Sequence, residues 1–274
     1  LTGFQANRNS TADLLLIAMV GLPALIVELV RQNRFPPHNS YIIWTSIAGI
    51  ALCLLGVVLT SSRTGIVLLP VALLGGALVL NTWLRLGWRK LALGGLTAIA
   101  ALALAGWLLW NQTSIANASS RFVFDNELRP ELWRDAVFVT RQFFPFGTGM
   151  GGFIPAMIAA ERLEIVLETL PVRAHNDFLE LVLEAGAFGA AALSAIFLII
   201  AGAARRALKA GSSPRVLAIF AITALFLIAL HSVVDYPLRS MTLACLAAVC
   251  TGMLVAPRNE QAGAQGTAQS WEHS

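Results

Sequence analysis

Residues 177–203 read DFLELVLEAGAFGAAALSAIFLIIAGA, with three carboxylates in the first eight positions and then nineteen residues without a charge. About 20 apolar residues in helical form cross a bilayer core roughly 30 Å thick, so this stretch predicts a membrane helix with a polar start at the membrane surface. Six further segments, near 12–30, 41–60, 65–84, 91–110, 214–233 and 238–256, approach or exceed the same length. None alternates polar and apolar residues as a barrel strand does, and in lipid the backbone must satisfy its own hydrogen bonds. The sequence therefore predicts an all-α, multi-pass membrane domain over residues 1–256 with about seven transmembrane helices.

Composition agrees. Hydrophobic residues make up 57% of the 274 and charged residues 12%, against about 45–50% and 25% in a soluble domain. This excludes a soluble globular protein, a disordered chain and a disulfide scaffold. Nineteen basic residues against fifteen acids are too dilute for a surface that tracks nucleic-acid phosphates. Seventeen of the nineteen are Arg, leaving only Lys90 and Lys209. Arg offers a planar fork for phosphate or carboxylate where Lys offers a point charge. Cys53, Cys245 and Cys250 stand in apolar runs without ligand spacing and read as membrane-buried thiols.

Short-loop charge sets the orientation. Arg31 and Arg34, then Arg85, Arg89 and Lys90, then Arg205, Arg206, Lys209 and Arg215 mark alternate loops as cytoplasmic, whereas the loops holding Arg63 and Arg239 carry one Arg each. The N-terminus is then outside, which suggests that earlier helices precede this sequence, and residues 257–274 form a disordered cytoplasmic tail. The first helix has a capping-type start, with Ser10 followed three residues later by Asp13.

The connection 111–174 lies outside and holds six Arg, seven acids and no Lys. Its Trp133, Phe138, Phe143, Phe144, Phe146 and Phe153 argue against disorder. Pro130 suits the first turn of a helix running to about Phe144. Leu132, Ala136, Val139 and Phe143 recur at helical spacing, which lays that helix along the outer membrane surface. A second short helix is expected near 155–170. The glycine-rich run from Pro145 to Phe153 lacks the strand and βαβ setting of a dinucleotide loop and reads as a hinge that lets backbone approach a bulky ligand.

Ionisable groups against a membrane are functional candidates, and each has a plain structural alternative. Arg63, in Ser61-Ser62-Arg63-Thr64-Gly65, is either an anion fork or a snorkelling anchor. Asn176, Glu180 and Glu184 share a helix face at i, i+4, i+8, where Glu180 also suits the helix dipole and Glu184 needs neutrality or an Arg partner. His231 and Asp235, one turn apart, either act on substrate or pin the last two helices together. His175 stands where the Arg-rich loop re-enters the membrane. A capping role is available to it, but a general base fits better, because neutral imidazole is well matched to taking a proton near pH 7.

These pieces resemble the C-terminal region of the bacterial O-antigen ligase and polymerase family. The matching motifs are Ser62-Arg63-Thr64-Gly65, Arg129-x-x-x-Trp133, Pro145-x-Gly147-x-Gly149 and Phe153. They continue in His175-Asn176-x-x-Leu179-Glu180-x-x-x-Glu184-x-Gly186-x-x-Gly189 and in His231-Ser-Val-Val-Asp235-Tyr-Pro237, and Asn7-Arg8-Asn9 is similar to an Asn-x-Asn that precedes a membrane helix in the family. The resemblance implies an inverting glycosyl transfer on the periplasmic side of the bacterial inner membrane. Its donor would be a glycan on undecaprenyl diphosphate, and its acceptor lipid A–core, another glycan or a protein.

On this reading Arg63 and Arg129 grip the diphosphate by charge-assisted hydrogen bonds and stabilise it as it leaves. His175 deprotonates the acceptor hydroxyl. Arg134 competes with Arg129 for its role. Arg121, Asn176, Glu180, His231, Asp235 and Arg239 complete the expected substrate-binding set. Arginines can do for a diphosphate what a divalent metal does elsewhere, so neither metal nor cofactor is expected. The alternatives are a polymerase of the same family, a transporter or flippase-like protein, and a structural membrane subunit. Transport would require polar residues through the bilayer, and here they thin out below the outer third.

Overall fold

The computed structural model describes residues 7–32, 40–85, 87, 89, 130–160, 172–209 and 212–255. The expected helix at 91–110, Arg121, Arg129 and the tail 257–274 lie outside the described residues. Every regular element among the described residues is helical. In chain order these are α1 (Arg8–Arg31), α2 (Ser40–Thr60), α3 (Arg63–Leu84), α4 (130–143), α5 (Phe153–Ala159), α6 (Asp177–Lys209), α7 (Ser212–Ser232), a 3-10 turn (Pro237–Arg239) and α8 (Met241–Val255).

Of the seven spans expected, four described helices are long and apolar enough to cross a membrane: α1, α3, α6 and, from Arg215, α7. The apolar stretches of α2 (Trp44–Thr60) and α8 (Met241–Val255) are shorter. For α8 the reason is local. The expected span begins at residue 238, but Pro237–Arg239 turns as a 3-10 helix and the α-helix starts at Met241. The start of α1 also differs from expectation. The cap is Asn7, whose side chain accepts the backbone N–H of Asn9 at 2.8 Å, so the helix begins a turn earlier and Ser10 and Asp13 lie inside it.

α1 runs through the middle of the bundle against α2, α3 and α7, and α7 carries α6 and α8. The main core is aliphatic, with Leu16, Val20, Val27, Leu68, Val79 and Leu227 at its centre. At one end the helix termini are tied by polar side chains: Ser62 at the α3 start bonds Asn9 of α1, and Ser232 at the α7 end bonds Asp177 at the α6 start. At the opposite end Arg31 donates to the Thr82 carbonyl at 3.0 Å. Gly65 lets α1 and α3 close up at the polar end, since a Cβ there would lie 2.6 Å from the Ala12 Cβ.

α6 is broken at Gly186 (φ 58°, ψ −142°), roughly two and a half turns after its start at Asp177. In lipid such a break needs partners for the freed backbone groups, and the glycine run supplies them. Thr148 and Gly149 donate to the carbonyls of Leu183 and Glu184 at 3.0 and 2.9 Å, and Ala187 donates to Pro145 O at 2.7 Å. A Cβ on Gly186 would sit 2.1 Å from Pro145 O, and one on Gly147 2.4 Å from Glu184 O. The run expected to be a hinge is therefore a clasp, held backbone to backbone.

α4 packs part of its apolar stripe against protein. Its Ala136 and Val139 are buried, with Leu132 packed beside them, in a small second core with Phe153, Met157, Ala174 and Leu183. Phe143 stays exposed. The buried part of the stripe faces α5, through Phe153 and Met157, and α6, through Leu183.

Candidate functional site

The site lies at the polar end of the bundle, where the chain re-enters α6. His175 holds a left-handed backbone (φ 49°), which costs a non-glycine residue roughly 1 kcal/mol and marks a position held by its surroundings. Those surroundings are specific. The Ala174 carbonyl accepts the Trp133 indole N–H at 2.9 Å, and the Ala174 N–H donates to Glu180 Oε2 at 3.0 Å. Asn176 caps α6 by accepting the Leu179 N–H at 2.9 Å.

This turn brings His175 Nδ1 to 3.2 Å from Asp235 Oδ1, and the ring packs against Tyr236 with centroids 5.0 Å apart. Burial raises the Asp235 pKa, but hydrogen bonds from His175 and Asn9 and the nearby His231 and His175 imidazoles outweigh it. The carboxyl is held below the usual carboxylate range and is ionised at neutral pH. An ionised carboxylate only accepts hydrogen bonds, so Nδ1 carries a proton, and in the neutral imidazole Nε2 is then the acceptor. The His175 side chain is 36% exposed and that of Asp235 4%. The pair thus has a shielded orienting end and an accessible basic end, the arrangement used to abstract a proton from a hydroxyl.

Around the pair the polar groups are mutually engaged. Glu180 accepts from Arg173 and from Arg239 at 2.8 and 2.9 Å, both through Oε1, and Arg239 lies 3.9 Å from Glu184. Glu184 also accepts the Phe153 N–H at 3.3 Å. Asp177 receives Ser232 Oγ and the Leu238 N–H. His231 is fully buried, with its Nδ1 2.6 Å from Asp13 Oδ1 and its Nε2 3.9 Å from Asp235 Oδ2. Among the described residues, no group of three or more His, Cys, Asp or Glu is placed to hold a metal ion.

Several expected assignments change with these distances. Asp235 serves His175 more closely than His231, its neighbour one helical turn away. His231 reaches across to Asp13 of α1 rather than joining the last two helices, the structural alternative offered for it. Glu180, His231 and Asp235, expected as substrate contacts, are buried and taken by protein groups, and the Asn176 amide oxygen is spent on the α6 cap. Arg239 divides its exposure between solvent and Glu180. Arg63 opens α3 beside Ser62, and Arg134 is exposed on α4. Arg121 and Arg129 lie outside the described residues.

Two engaged residues had no role in the sequence reading. Asp13 was absorbed into a presumed cap, although an acid inside an apolar span is itself a signal. Asn9 stood only in a short motif. Its Nδ2 donates to Asp235 and its Oδ1 accepts from Ser62 Oγ at 2.8 Å.

No curated protein matches the chain. The family model for O-antigen ligases matches residues 48–194, from within α2 through Arg63 and His175 to beyond the α6 break. That is more than half of the sequence and includes both His175 and the clasp. The chain is a membrane protein of the O-antigen ligase family.

Proposed function

We propose that the protein transfers a glycan from undecaprenyl diphosphate to an acceptor hydroxyl at the periplasmic face of the inner membrane, with inversion and without a metal. The observation that carries this reading is the part-exposed His175 ring held through Nδ1 at 3.2 Å from the buried Asp235 carboxylate, at the polar end of a membrane bundle. Nε2 takes the acceptor proton as the hydroxyl oxygen attacks the anomeric carbon. The bond from that carbon to the diphosphate oxygen breaks, and its electron pair leaves with undecaprenyl diphosphate. Arg63 and Arg129 neutralise the departing charge, the service a divalent cation gives elsewhere.

The charge bias supports the orientation. Arg31, Arg85, Arg205, Arg206 and Lys209 fall at helix ends opposite His175, where the positive-inside rule puts the cytoplasm. The same chemistry serves a polymerase, in which the acceptor is another glycan. The description of the matching family model favours the ligase.

The test is His175→Ala in the full-length protein. A general base acts on the acceptor proton and contributes little to gripping the donor. Membrane level and lipid-linked donor binding should therefore stay normal while transfer falls about 10²-fold or more. Normal transfer, or a defect confined to donor binding, overturns the assignment. Glycan analysis of a deletion strain separates the two family reactions: loss of attachment marks a ligase, attached single units a polymerase.

A further inference from the structure

The Asn9 amide is used at both ends. Nδ2 donates to Asp235 Oδ2, and Oδ1 accepts from Ser62 Oγ at 2.8 Å. Its place is also fixed, because its backbone N–H is held by the Asn7 cap at 2.8 Å. Ser62 in turn caps α3, accepting the Gly65 N–H at 3.1 Å, so the residue that meets Asn9 is the one that starts the helix on which Arg63 is first. The near contact of Gly65 with Ala12 keeps these two helix starts together.

From this geometry we infer that Asn9 is a positioning residue that sets the His175–Asp235 pair in register with the Arg63 end of α3. The inference rests on the reaction proposed above and extends it to a residue outside the stretch matched by the family model.

The chemistry admits few substitutes for Asn9. The group between Asp235 and Ser62 must donate on one side and accept on the other, in fixed order, and an amide does so without charge. The Asp235 carboxylate has two oxygens to place. Oδ1 faces His175, and Oδ2 faces Asn9, with His231 at 3.9 Å and Asp13 behind it. Without the Asn9 donor the carboxylate is free to rotate about its last bond, and the hydrogen bond that holds the His175 tautomer loses its direction. A carboxylate in place of the amide is worse, since it sets like charges against each other.

The experiment compares Asn9→Ala and Asn9→Asp in the full-length protein, reconstituted with a polyprenyl-diphosphate-linked oligosaccharide and an acceptor glycan. Rates are taken per folded protein, so a loss of level does not mask the result. Asn9→Ala should lower kcat about ten- to a hundredfold with donor KM unchanged, and Asn9→Asp should lower it further. In an Asp235→Ala background, Asn9→Ala should have no further effect, because the group it positions is gone. An unchanged rate per folded protein, a change in KM alone, or an effect that multiplies with that of Asp235→Ala overturns the inference. If His175→Ala transfers normally, the proposed reaction itself fails. If His175→Ala is dead and Asn9→Ala is normal, only the role of Asn9 fails.

Discussion

Asp13 and Leu16 lie less than a turn apart on α1, and neither has any surface exposed, yet they are held in place by different physics. Leu16 sits among aliphatic side chains in the main core. Lipid outside the bundle is as apolar as that core, so packing contacts rather than exclusion from water distinguish one arrangement from another. Asp13 faces His231, and the polar end from Asn9 to Arg239 is fixed by directional bonds whose partners are few. The body of the bundle should thus tolerate changes of shape at some cost in stability. The polar end should lose function with small changes of geometry.

The comparison breaks most visibly at the α6 clasp, where the two regions meet. Gly186→Ala would place a Cβ 2.1 Å from a backbone oxygen at a positive φ. It should cost more than about 4 kcal/mol, seen as near-complete loss of folded protein on size-exclusion chromatography. Normal folding would mean that the clasp is not what holds the break. Leu16→Ala tests the body. It should lower thermal stability by about 2 kcal/mol, the low end for a buried leucine because the transfer gain is small in lipid, and leave transfer per folded molecule unchanged. A specific loss of transfer would show that body and polar end are coupled. The smallest expected effect is that of Trp133→Phe. It removes only the hydrogen bond to Ala174 O, worth about 1 kcal/mol, but that bond supports the His175 turn, so transfer should fall more than stability does.

Acid provides a graded version of the same contrast. Asp235 has a lowered folded pKa. Its contribution to stability is present above the ordinary carboxylate value of about 3.9 and is lost only as pH falls through the lower folded value. A melting-temperature profile should show the Asp235→Ala difference persisting down to about pH 4 and shrinking below it.

What could be read in the sequence divides along the same line. Four of the seven spans were legible because long uncharged runs such as 185–203 have one physical explanation in a bilayer, and His175 and Arg63 stood out as ionisable groups beside such runs. Pairings were not legible. His231 and Asp235 are four apart, so helical spacing joins them, but the chain turns out of α7 between them and tertiary geometry gives Asp235 to His175, sixty residues earlier. The glycine run suggested mobility because its residues permit positive φ. Its fixity comes from carbonyls released at Gly186, which no local pattern announces. Asn9 and Asp13 were hidden by a plausible cap at Ser10, one turn beyond the real one.

The order of synthesis follows from how far apart these partners lie along the chain. Asn9 belongs to the first helix described and Asp235 follows the α7 end. At about 5–20 residues per second, translation reaches Asp235 some 3 to 12 s after His175. Until then His175 has no carboxylate to hold its tautomer, and Asn9 has only Ser62 to bond. The proposed base therefore gains its carboxylate partner only when the end of α7 arrives.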